Sequence, residues 1–393
     1  MMKQDSPPRW LIVNGDFTRR GGQELANHAL ATRLADRGRP LTLVAHRVDP
    51  VLAARSNVSA VWVRLPLRSY YLGERALEQA AIREFSALHH TGGTIFVGNG
   101  GNCPHATVSW VHFVHAAWGG ELSAAPPHAR AFHWLRKKDA IRRERRAFAT
   151  AKLVVANSDT TASDLHDLIK VPRERIIRIW FGADHGPKGL WRPRNSDPPS
   201  LLFVGALGWD RRKGLDVALR AFAELVRDPS FRHRLVVAGA GTERPWRTLA
   251  RELGIESRVD FRAFVEDISP LLASADLLLC PTRYEPYGLA IQEGIMAGVP
   301  PLVSNGVAGI VDRLPDALEE LLIDDFENHV EWARRIRSCL RQLESLRART
   351  ASAAALFAQR SWDDFADEFI ETVEDRLGLA SRQHREGLRG AGE

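Results

Sequence analysis

Both halves of the chain contain the same unit, in which a short apolar run is followed by a glycine-containing turn, an amphipathic stretch and a second apolar run. In the first half, WLIVNGDF (10–17) precedes TRRGG, QELANHALATRLADRG and LTLVAH (41–46). In the second half, LLFVGAL (201–207) starts a similar alternation that continues to DLLLCPT (276–282). Strand, turn, helix and strand form a βαβ unit, which joins parallel strands. The repetition predicts an α/β protein with two doubly wound, Rossmann-like domains.

The stretch WRPRNSDPPS (191–200) separates the two alternations with prolines and polar residues, as a linker would. We predict a first domain over residues 1–192 and a second over 193–360, and 393 residues are enough for both. Ligands of such sheets bind at the carboxyl ends of the strands, so we expect the site in a cleft between the domains. Residues 381–393 are predicted to form a flexible tail.

Cysteine usage and hydropathy indicate the compartment. Cys103, Cys280 and Cys339 show neither CxxC spacing nor a histidine at metal-ligand spacing. This argues against a disulfide framework or a zinc site and suits a reducing compartment. The N-terminus has no apolar signal segment, and no apolar run is long enough to span a bilayer. We therefore expect a cytoplasmic protein.

The net charge of +6 favours anionic partners, and much of the excess lies in RKKDAIRRERR (136–146). A solvated helix face is the simpler interpretation of this run. The alternative is a peripheral contact with an anionic membrane through 136–146, helped by Phe132, Trp134 and Leu135, which would place the protein at the inner face of the membrane. Because no recognised nucleic-acid motif accompanies the run, we predict no nucleic-acid partner.

Two loops suggest phosphate binding. Gly21 and Gly22 lie between the first predicted strand and its helix, where their amides could approach a phosphate or a sugar, although a tight turn explains the pair equally well. In VGALGWDRRKGLDVAL, Arg211, Arg212 and Lys213 stand between a strand and the next helix. A lysine before a helix N-terminus, with free backbone N–H groups, suits a diphosphate. A solvated basic loop is the alternative for this stretch alone.

The stretch DLLLCPTRYEPYGLAIQEGIMAGVPPLVS (276–304) predicts a strand, a loop, a helix that begins near Gly288 and a second strand. Gly288 would let the backbone approach a bound group closely. Glu285 precedes the turn, where a carboxylate could accept hydrogen bonds from sugar hydroxyls or stabilise developing positive charge. Glu293 lies one to two turns into the helix, where a nucleoside ribose would lie if a diphosphate occupied the helix end.

These motifs together resemble the retaining glycosyltransferases of family 4. The resemblance rests on Glu285 and Glu293 at the family's E-x7-E spacing, on EPYGLAIQEGIMAGVPPLVS, RRKG and VVANSDTTASDL, and on IIRIWFGAD (176–184). It implies the GT-B fold and a nucleotide-diphosphate sugar as co-substrate, without a cofactor. It also implies that the terminal helix, predicted over 361–380 from SWDDFADEFIETV, crosses back to the first domain.

The resemblance also implies roles for single residues. Glu285 would contact the donor sugar near the reaction centre, Glu293 would hold the ribose, Lys213 would bind the diphosphate, and the Gly22 amide would approach the phosphates. The catalytic set predicted in this way is Glu285, His112 and Lys213. The predicted donor site further includes Gly21, Arg211, Arg212, Phe264, Tyr287, Gly288 and Leu289.

The family has a histidine at the end of a first-domain strand, close to the transferred sugar. WVHFVHAAW offers two candidates, His112 and His115, and the spacing from Pro104 and the strand length favour His112. Either ring could instead be a core histidine that donates to a backbone carbonyl.

The chain departs from the family pattern at two places. Where the family usually has G-R-L after the strand, this chain has Ala206 in place of the arginine, and Arg211 or Arg212 could replace it. A missing bidentate arginine would cost on the order of 1.5 to 3 kcal/mol if nothing compensated. The glycine pair after the next strand is represented by Ala308 and Gly309.

The resemblance implies transfer of a glycosyl group to an acceptor hydroxyl with retention at the anomeric carbon. No DxD pair stands at a strand end, so we predict metal independence. The acceptor is left open between a glycan, a lipid-linked and a small-molecule acceptor. A non-catalytic nucleotide-sugar-binding protein of the same fold is the main alternative, since it would explain Ala206, and a basic scaffold that docks through 136–146 is a further one.

Overall fold

The structure, a computed structural model, describes residues 7–89, 93–120, 125–183 and 199–379. Most of the predicted linker, the boundary predicted at residues 192 and 193, and the predicted tail lie outside these ranges. The domain boundary therefore stays a prediction. Within the described ranges no helix is long and apolar enough to cross a membrane.

The first half forms one parallel sheet with its helices. Its strands are β1 (Arg9–Val13), β2 (Asp16–Phe17), β3 (Leu41–Ala45), β4 (Arg47–Val48), β5 (Val58–Trp62), β6 (Thr94–Asn99), β7 (Val108–Val111), β8 (Leu153–Ala156) and β9 (Ile176–Arg178). Its helices are α1 (Gly22–Asp36), α2 (Pro50–Ala53), α3 (Tyr70–His89), α4 (Pro127–Thr150) and α5 (Asp159–Asp167). The sheet has the order β5-β3-β1-β6-β7-β8-β9, and β2 and β4 form a separate short pair.

The second half repeats this architecture. Its strands are β10 (Ser200–Val204), β11 (Arg234–Ala238), β12 (Val259–Arg262), β13 (Ala275–Cys280), β14 (Pro301–Ser304) and β15 (Leu322–Ile323). Its helices are α6 (Leu215–Val226), α7 (Arg244–Glu252), α8 (Ser269–Ser274), α9 (Leu289–Met296), α10 (His329–Arg341) and α11 (Leu343–Phe357). All its strands are parallel and lie in the order β12-β11-β10-β13-β14-β15. Successive strands are added toward one edge from β10 to β12 and toward the other edge from β13 to β15. The loops after β10 and β13 therefore lie at the switch point of the sheet.

Both sheets have central strands that are buried along their length. Every residue of β3 and β8 in the first sheet and of β14 in the second is buried, as expected for parallel strands covered on both faces. This confirms the predicted doubly wound α/β architecture. One predicted strand is shorter than expected: of the apolar run 106–115, only β7 is extended, and the polar His112 begins the loop that follows.

A final helix, α12 (Trp362–Arg376), packs on the first half although it follows the second in sequence. Ser361 caps it, and Phe369 lies 4.9 Å from the ring of Trp110. On the helix surface Asp367 forms ion pairs with Arg33 of α1 and with Arg37, which directly follows α1, at 2.5 and 2.6 Å. The apolar contact holds α12 against β7, and the ion pairs hold it against the end of α1.

Candidate functional site

The glycine loop after β1 lies against the start of α9, so the two halves touch at the cleft. A Cβ atom added to Gly22 would lie 2.6 Å from Cδ1 of Leu289, closer than real carbon contacts. Gly21 precedes α1 with φ 96°, a conformation that residues with side chains rarely adopt. The turn therefore requires glycine at position 21, and Gly22 brings the backbone of the loop close to the Leu289 side chain.

A second contact between the halves joins the start of α5 to the turn before α9. Ser158 accepts from the Thr161 amide as the cap of α5, and its Oγ donates to the Pro286 carbonyl at 2.6 Å. Gly309, which follows Ala308, lies so close that an added Cβ would be 2.6 Å from Cβ of Ser158. We call Ser158, Pro286 and Gly309 the interdomain joint. Sequence reasoning predicted no role for Ser158 beyond its place in a family motif.

Lys213 and Glu285 form an ion pair on the second-half side of the cleft. They come from the loops after β10 and β13, and their side chains are 22% and 15% exposed. Burial acts to raise the pKa of the Glu285 carboxyl, but the charges of Lys213 and Arg212 and the hydrogen bonds from Lys213 and the Tyr287 amide outweigh it and hold the pKa below its ordinary range. Glu285 is therefore ionised at neutral pH, and an anionic ligand must compete with it for Lys213.

The two arginines beside Lys213 point in different directions. Arg212 reaches toward the first half, where its guanidinium carbon lies 5.3 Å from the centre of the Phe113 ring. Arg211 lies toward α6, with Nη1 3.7 Å from Oδ2 of Asp216. Ala206, two residues after the end of β10, is exposed. Of the two arginines considered as replacements for the family arginine, Arg212 is the one that faces the cleft.

The start of α9 combines a helix N-terminus that no described side chain caps with a buried tyrosine side chain. Gly288 adopts φ 114° before the first helical turn, and Glu293 is exposed one turn further along. The Tyr287 hydroxyl, in contrast, is buried between Gln292 at 2.5 Å and Arg313 at 2.6 Å, and burial raises its pKa to about 12. The Tyr287 side chain thus anchors the turn, and only its main chain faces Glu285.

Phe264 lies apart from these residues in the sequence, in the loop after β12. Its side chain is 51% exposed. Two residues later, Glu266 pairs with Arg20 of the first-half glycine loop, with contacts at 3.1 and 3.2 Å. The loop therefore reaches the rim of the cleft.

A cavity of about 780 Å³ opens in the first half beside these loops. It extends from the ends of β1, β6 and β7 to one face of α4, and the second half contributes Asp210. Its polar lining includes Asn14, Asp16, Glu24, Asn99, Lys137 and Glu144. The volume and the mixed polar lining suit a small hydroxylated ligand.

Both candidate histidines line this cavity, but they differ in their surroundings. Asn27 Nδ2 lies 3.4 Å from His112 Nε2, and the His112 ring stacks on Phe181 with 5.9 Å between ring centres. Burial lowers the pKa of His112 to about 3, so its imidazole is neutral at physiological pH. His115 Nδ1 lies 2.6 Å from Glu144 Oε1, and its ring is 42% exposed.

Buried amide side chains connect the glycine loop to His112, and sequence reasoning missed them. Asn27 and Asn99 exchange two amide hydrogen bonds, at 3.0 and 2.9 Å. The side-chain amide of Gln23 donates to Asn14 Oδ1 at 3.0 Å, and the main-chain carbonyl of Gln23 accepts from Asn27 Nδ2 at 2.9 Å. The only sequence signals were an asparagine inside an amphipathic helix and another at the end of a strand.

The basic run on α4 is divided between two faces. Arg136, Lys137 and Arg143 line the cavity. The exposed basic residues of the run are Lys138, Arg142, Arg145 and Arg146. The run is therefore only partly a solvated face.

Comparisons with known proteins agree with this architecture. The chain is 31% identical over 256 residues to the D-inositol 3-phosphate glycosyltransferase of Nocardia farcinica, which covers 60% of this chain and 55% of that relative. It is 40% identical over 131 residues to the lipopolysaccharide glucosyltransferase WaaG of Escherichia coli, 33% of this chain and 34% of the relative. The chain thus spans less than two thirds of the length of these curated relatives.

Solved glycosyltransferases share the fold over nearly the whole chain. The crystal structure of WaaG superposes with a TM-score of 0.70 at 21% identity, covering 92% of this chain and 99% of that one. The Anabaena HepE structure in complex with UDP-glucose has a TM-score of 0.67 at 18% identity, with 93% and 99% covered. At these identities the likeness shows the fold alone, which is GT-B as the resemblance implied.

A family model gives the assignment, because it matches residues 11–369 and so includes the glycine loop, the Lys213–Glu285 pair and most of α12. The chain belongs to the family described as Family 4 Glycosyltransferase in conflict systems.

Proposed function

We propose that this protein transfers a glycosyl group from a nucleotide-diphosphate sugar to an acceptor hydroxyl. The observation that carries the proposal is the Lys213–Glu285 pair at the switch point of the second sheet, opposite the glycine loop at Gly22. An ammonium and a carboxylate beside a helix N-terminus offer partners for a diphosphate and for sugar hydroxyls within one small region.

Positive charge for the diphosphate would come from protein groups. Lys213 and Arg212 supply cations, and the amides at the start of α9 supply donors where Gly288 turns the backbone. Such preorganised groups stabilise the charge that develops on a departing diphosphate. We therefore propose a metal-independent reaction that needs no cofactor.

The two carboxylates would divide the donor between them. Glu285, ionised and turned toward the cleft, would bind the donor sugar near the anomeric carbon, and the exposed Glu293 on α9 would hold the ribose. A diphosphate that draws Lys213 away would leave the Glu285 carboxylate available to sugar hydroxyls. Donor binding and correct placement of Glu285 would thus be coupled.

In the proposed reaction, the bond between the anomeric carbon and the diphosphate oxygen breaks, and the acceptor oxygen bonds to the same carbon. The hydroxyl proton passes to the departing diphosphate, so the reaction balances without a co-reactant. Retention at the anomeric carbon rests on the resemblance to family 4. His112, neutral and beside Asn27, would position the transferred sugar without adding charge.

The names of similar proteins suggest where to begin. HepE was crystallised with UDP-glucose, and one curated relative is named for D-inositol 3-phosphate. We therefore propose a UDP-sugar as the first donor to test. The acceptor classes remain a glycan, a lipid-linked and a small-molecule acceptor.

The test measures binding and slow hydrolysis of UDP-, GDP-, ADP- and TDP-sugars by the wild type, Glu285→Gln and Glu256→Gln. Glu256 is a matched control, because it is also paired with an arginine but lies on the surface beside α7. One donor should be hydrolysed by the wild type and the control, and Glu285→Gln should lose about 10²-fold in turnover. Turnover by Glu285→Gln at the wild-type rate would contradict the proposal.

One observation favours a second candidate. Ala206 is exposed where family members usually carry an arginine, so the phosphate site lacks that group. A non-catalytic nucleotide-sugar-binding protein would bind one donor from the panel and neither hydrolyse nor transfer it. Binding without turnover in the same assay therefore separates the two functions.

We further propose a cytoplasmic location with a peripheral contact to anionic membranes through α4. The cysteines of the described structure are free thiols, which suits a reducing compartment. Trp134 and Leu135 are 55% and 59% exposed, and Lys138 lies 3.6 Å above the Trp134 ring. Sedimentation with anionic and neutral vesicles tests the contact, and Trp134→Ser should weaken binding to the anionic ones. Equal binding to both vesicle types would contradict it.

A further inference from the structure

The face of α4 that lines the cavity changes in charge along its length. Toward its buried end, Arg143 is 3.6 Å from Glu74 and 3.5 Å from Glu78, and it donates to a backbone carbonyl at Asn102. Glu144, the neighbouring residue, accepts from His115. The buried end of this face is therefore electrically neutralised by the protein itself.

The opposite end of the same face carries the outer basic cluster, which we define as Arg130, His133, Arg136 and Lys137. All four line the cavity. Among the described residues, no carboxylate forms a salt bridge with Arg136 or Lys137. Lys137 Nζ donates to the Trp118 carbonyl, and the Arg136 guanidinium lies 4.8 Å from the centre of the Tyr71 ring. Neither contact is with a carboxylate, and Glu74, on which the charge of Arg136 acts, is ion-paired with Arg143.

Burial makes this arrangement costly. Arg136 and Lys137 are only partly exposed, and burial lowers the pKa of the Lys137 ammonium. A partly desolvated cation without an anionic partner is destabilising, and an anion that binds there gains charge-assisted hydrogen bonds. Such a cluster is therefore suited to a dianion that arrives with a ligand.

The far wall of the cavity has a different character. Asp16 is held by Arg47 and by the Tyr70 hydroxyl, each at 2.6 Å, and Asn14 and Glu24 line the same wall. Amide and carboxylate groups of this kind bind hydroxyls. The cavity thus offers hydroxyl-binding groups near the glycine loop and His112. At the outer basic cluster it offers cations that form no ion pair with any described carboxylate.

We propose that the acceptor carries a phosphate group, which the outer basic cluster binds while a hydroxyl of the same molecule reaches the donor sugar. This inference rests on the proposed function, since it assigns the acceptor of that site. Lys137 lies about 10 Å along α4 from Glu144, which holds His115 toward the buried end of the cavity. The phosphate would therefore bind away from His115, at the outer end of the cavity.

The first experiment maps phosphate onto individual lysines of the full-length protein. Lysines are acetylated with a limiting reagent, with and without inorganic phosphate, and acetylation at each site is read by peptide mass spectrometry. Phosphate should slow acetylation of Lys137 and leave Lys138, its exposed neighbour on α4, unchanged. Equal effects at the two lysines, or no effect at Lys137, would overturn the inference.

A second set of probes separates two sources of the phosphate. The same mapping is done with phosphatidylcholine vesicles with and without phosphatidic acid. Protection of Lys137 by soluble phosphate alone supports a soluble phosphorylated acceptor, and stronger protection by phosphatidic acid vesicles supports a lipid-linked one. Protection of Lys138 without Lys137 would indicate surface docking and overturn the site in the cavity.

Variants test the cluster without relying on Lys137 reactivity alone. Arg136→Ala should raise the dissociation constant for phosphate, measured by Lys137 protection, by roughly tenfold. Arg142→Ala removes the same charge from the exposed face of α4 and should change nothing. An unchanged dissociation constant in Arg136→Ala would contradict the assignment.

Donor binding, measured in parallel on the same proteins, keeps the two proposals apart. Loss of phosphate protection with intact UDP-sugar binding would overturn only the acceptor inference. Intact protection without binding of any nucleotide sugar would overturn the proposed transferase function, and the cluster would then be a phosphate site with no assigned acceptor.

Discussion

The two walls of the cleft are built in different ways. The second-half wall concentrates its chemistry in two short segments, the loop that carries Lys213 and the turn from Glu285 into α9, which follow neighbouring strands. The first-half wall collects single residues from the ends of three strands and from the three helices α1, α3 and α4. One wall is a compact set of motifs, and the other is a surface shaped by a whole domain.

The difference follows from what each wall is expected to bind. Every nucleotide-sugar donor contains a diphosphate and a ribose, so a small set of groups at a helix end serves all of them. Acceptors share only a hydroxyl, so their site needs shape and charge specific to each case. We therefore expect substitutions of Lys213 and Glu285 to affect every reaction of the protein, and substitutions in the outer basic cluster to affect only the choice of acceptor.

The largest expected effect is that of Lys213→Ala. Removing the ammonium leaves a departing diphosphate without its nearest cation and leaves Glu285 without its ion-pair partner. We expect kcat/KM to fall by about 10²- to 10³-fold for every acceptor, measured as transfer and as donor hydrolysis. Lys152→Ala, which removes an exposed lysine from the first half, is the control. A loss of kcat/KM confined to one acceptor would contradict the expectation that Lys213 serves every reaction of the protein.

The next effect concerns the contacts that bring the walls together. An alanine at Gly309 would push its Cβ into Ser158 and the backbone carbonyl of Pro286, which cannot rotate away. An alanine at Gly22 would meet only the end of the Leu289 side chain, which can. We expect Gly309→Ala to lower the unfolding free energy by about 1 to 3 kcal/mol and Gly22→Ala by less, from urea unfolding curves. Equal losses of unfolding free energy would show that the residues around Gly309 can move aside as easily as Leu289 does at Gly22.

A further effect, seen only as the pH falls, is expected from the pH dependence that His112 gives to stability. Folded His112 takes a proton only near pH 3, whereas the unfolded chain takes one near 6.5. Between these values the unfolded state binds more protons, so the unfolding free energy falls as pH falls, and the contribution is fully present above 6.5. His112→Gln should flatten this part of the curve, measured by urea unfolding. An unchanged slope would mean that His112 is hydrated.

The two walls also differ in how much of each could be predicted from the sequence. The βαβ alternation and the donor loops are local patterns, so the fold and the Lys213–Glu285 region were predicted from contiguous residues. Asn27 and Asn99 are 72 positions apart, and only the folded sheet brings them together. The division of the basic run on α4 also depends on what the helix packs against. Contacts of this kind leave no spacing that a single sequence can reveal.

The smallest expected effect is at the rim of the cleft, where Arg20 and Glu266 connect the halves. The pair is bidentate, but the side chains are 58% and 68% exposed, so water and salt screen it. Arg20→Ala should change the unfolding free energy by no more than about 1 kcal/mol at low salt and less at high salt. Glu266→Gln should lower the unfolding free energy by a similar amount. In a double-mutant cycle, the double variant should lose no more than either single variant. A larger loss would mean that this pair orders the glycine loop, and the rim would then belong with the interdomain joint among the contacts that bring the two walls together.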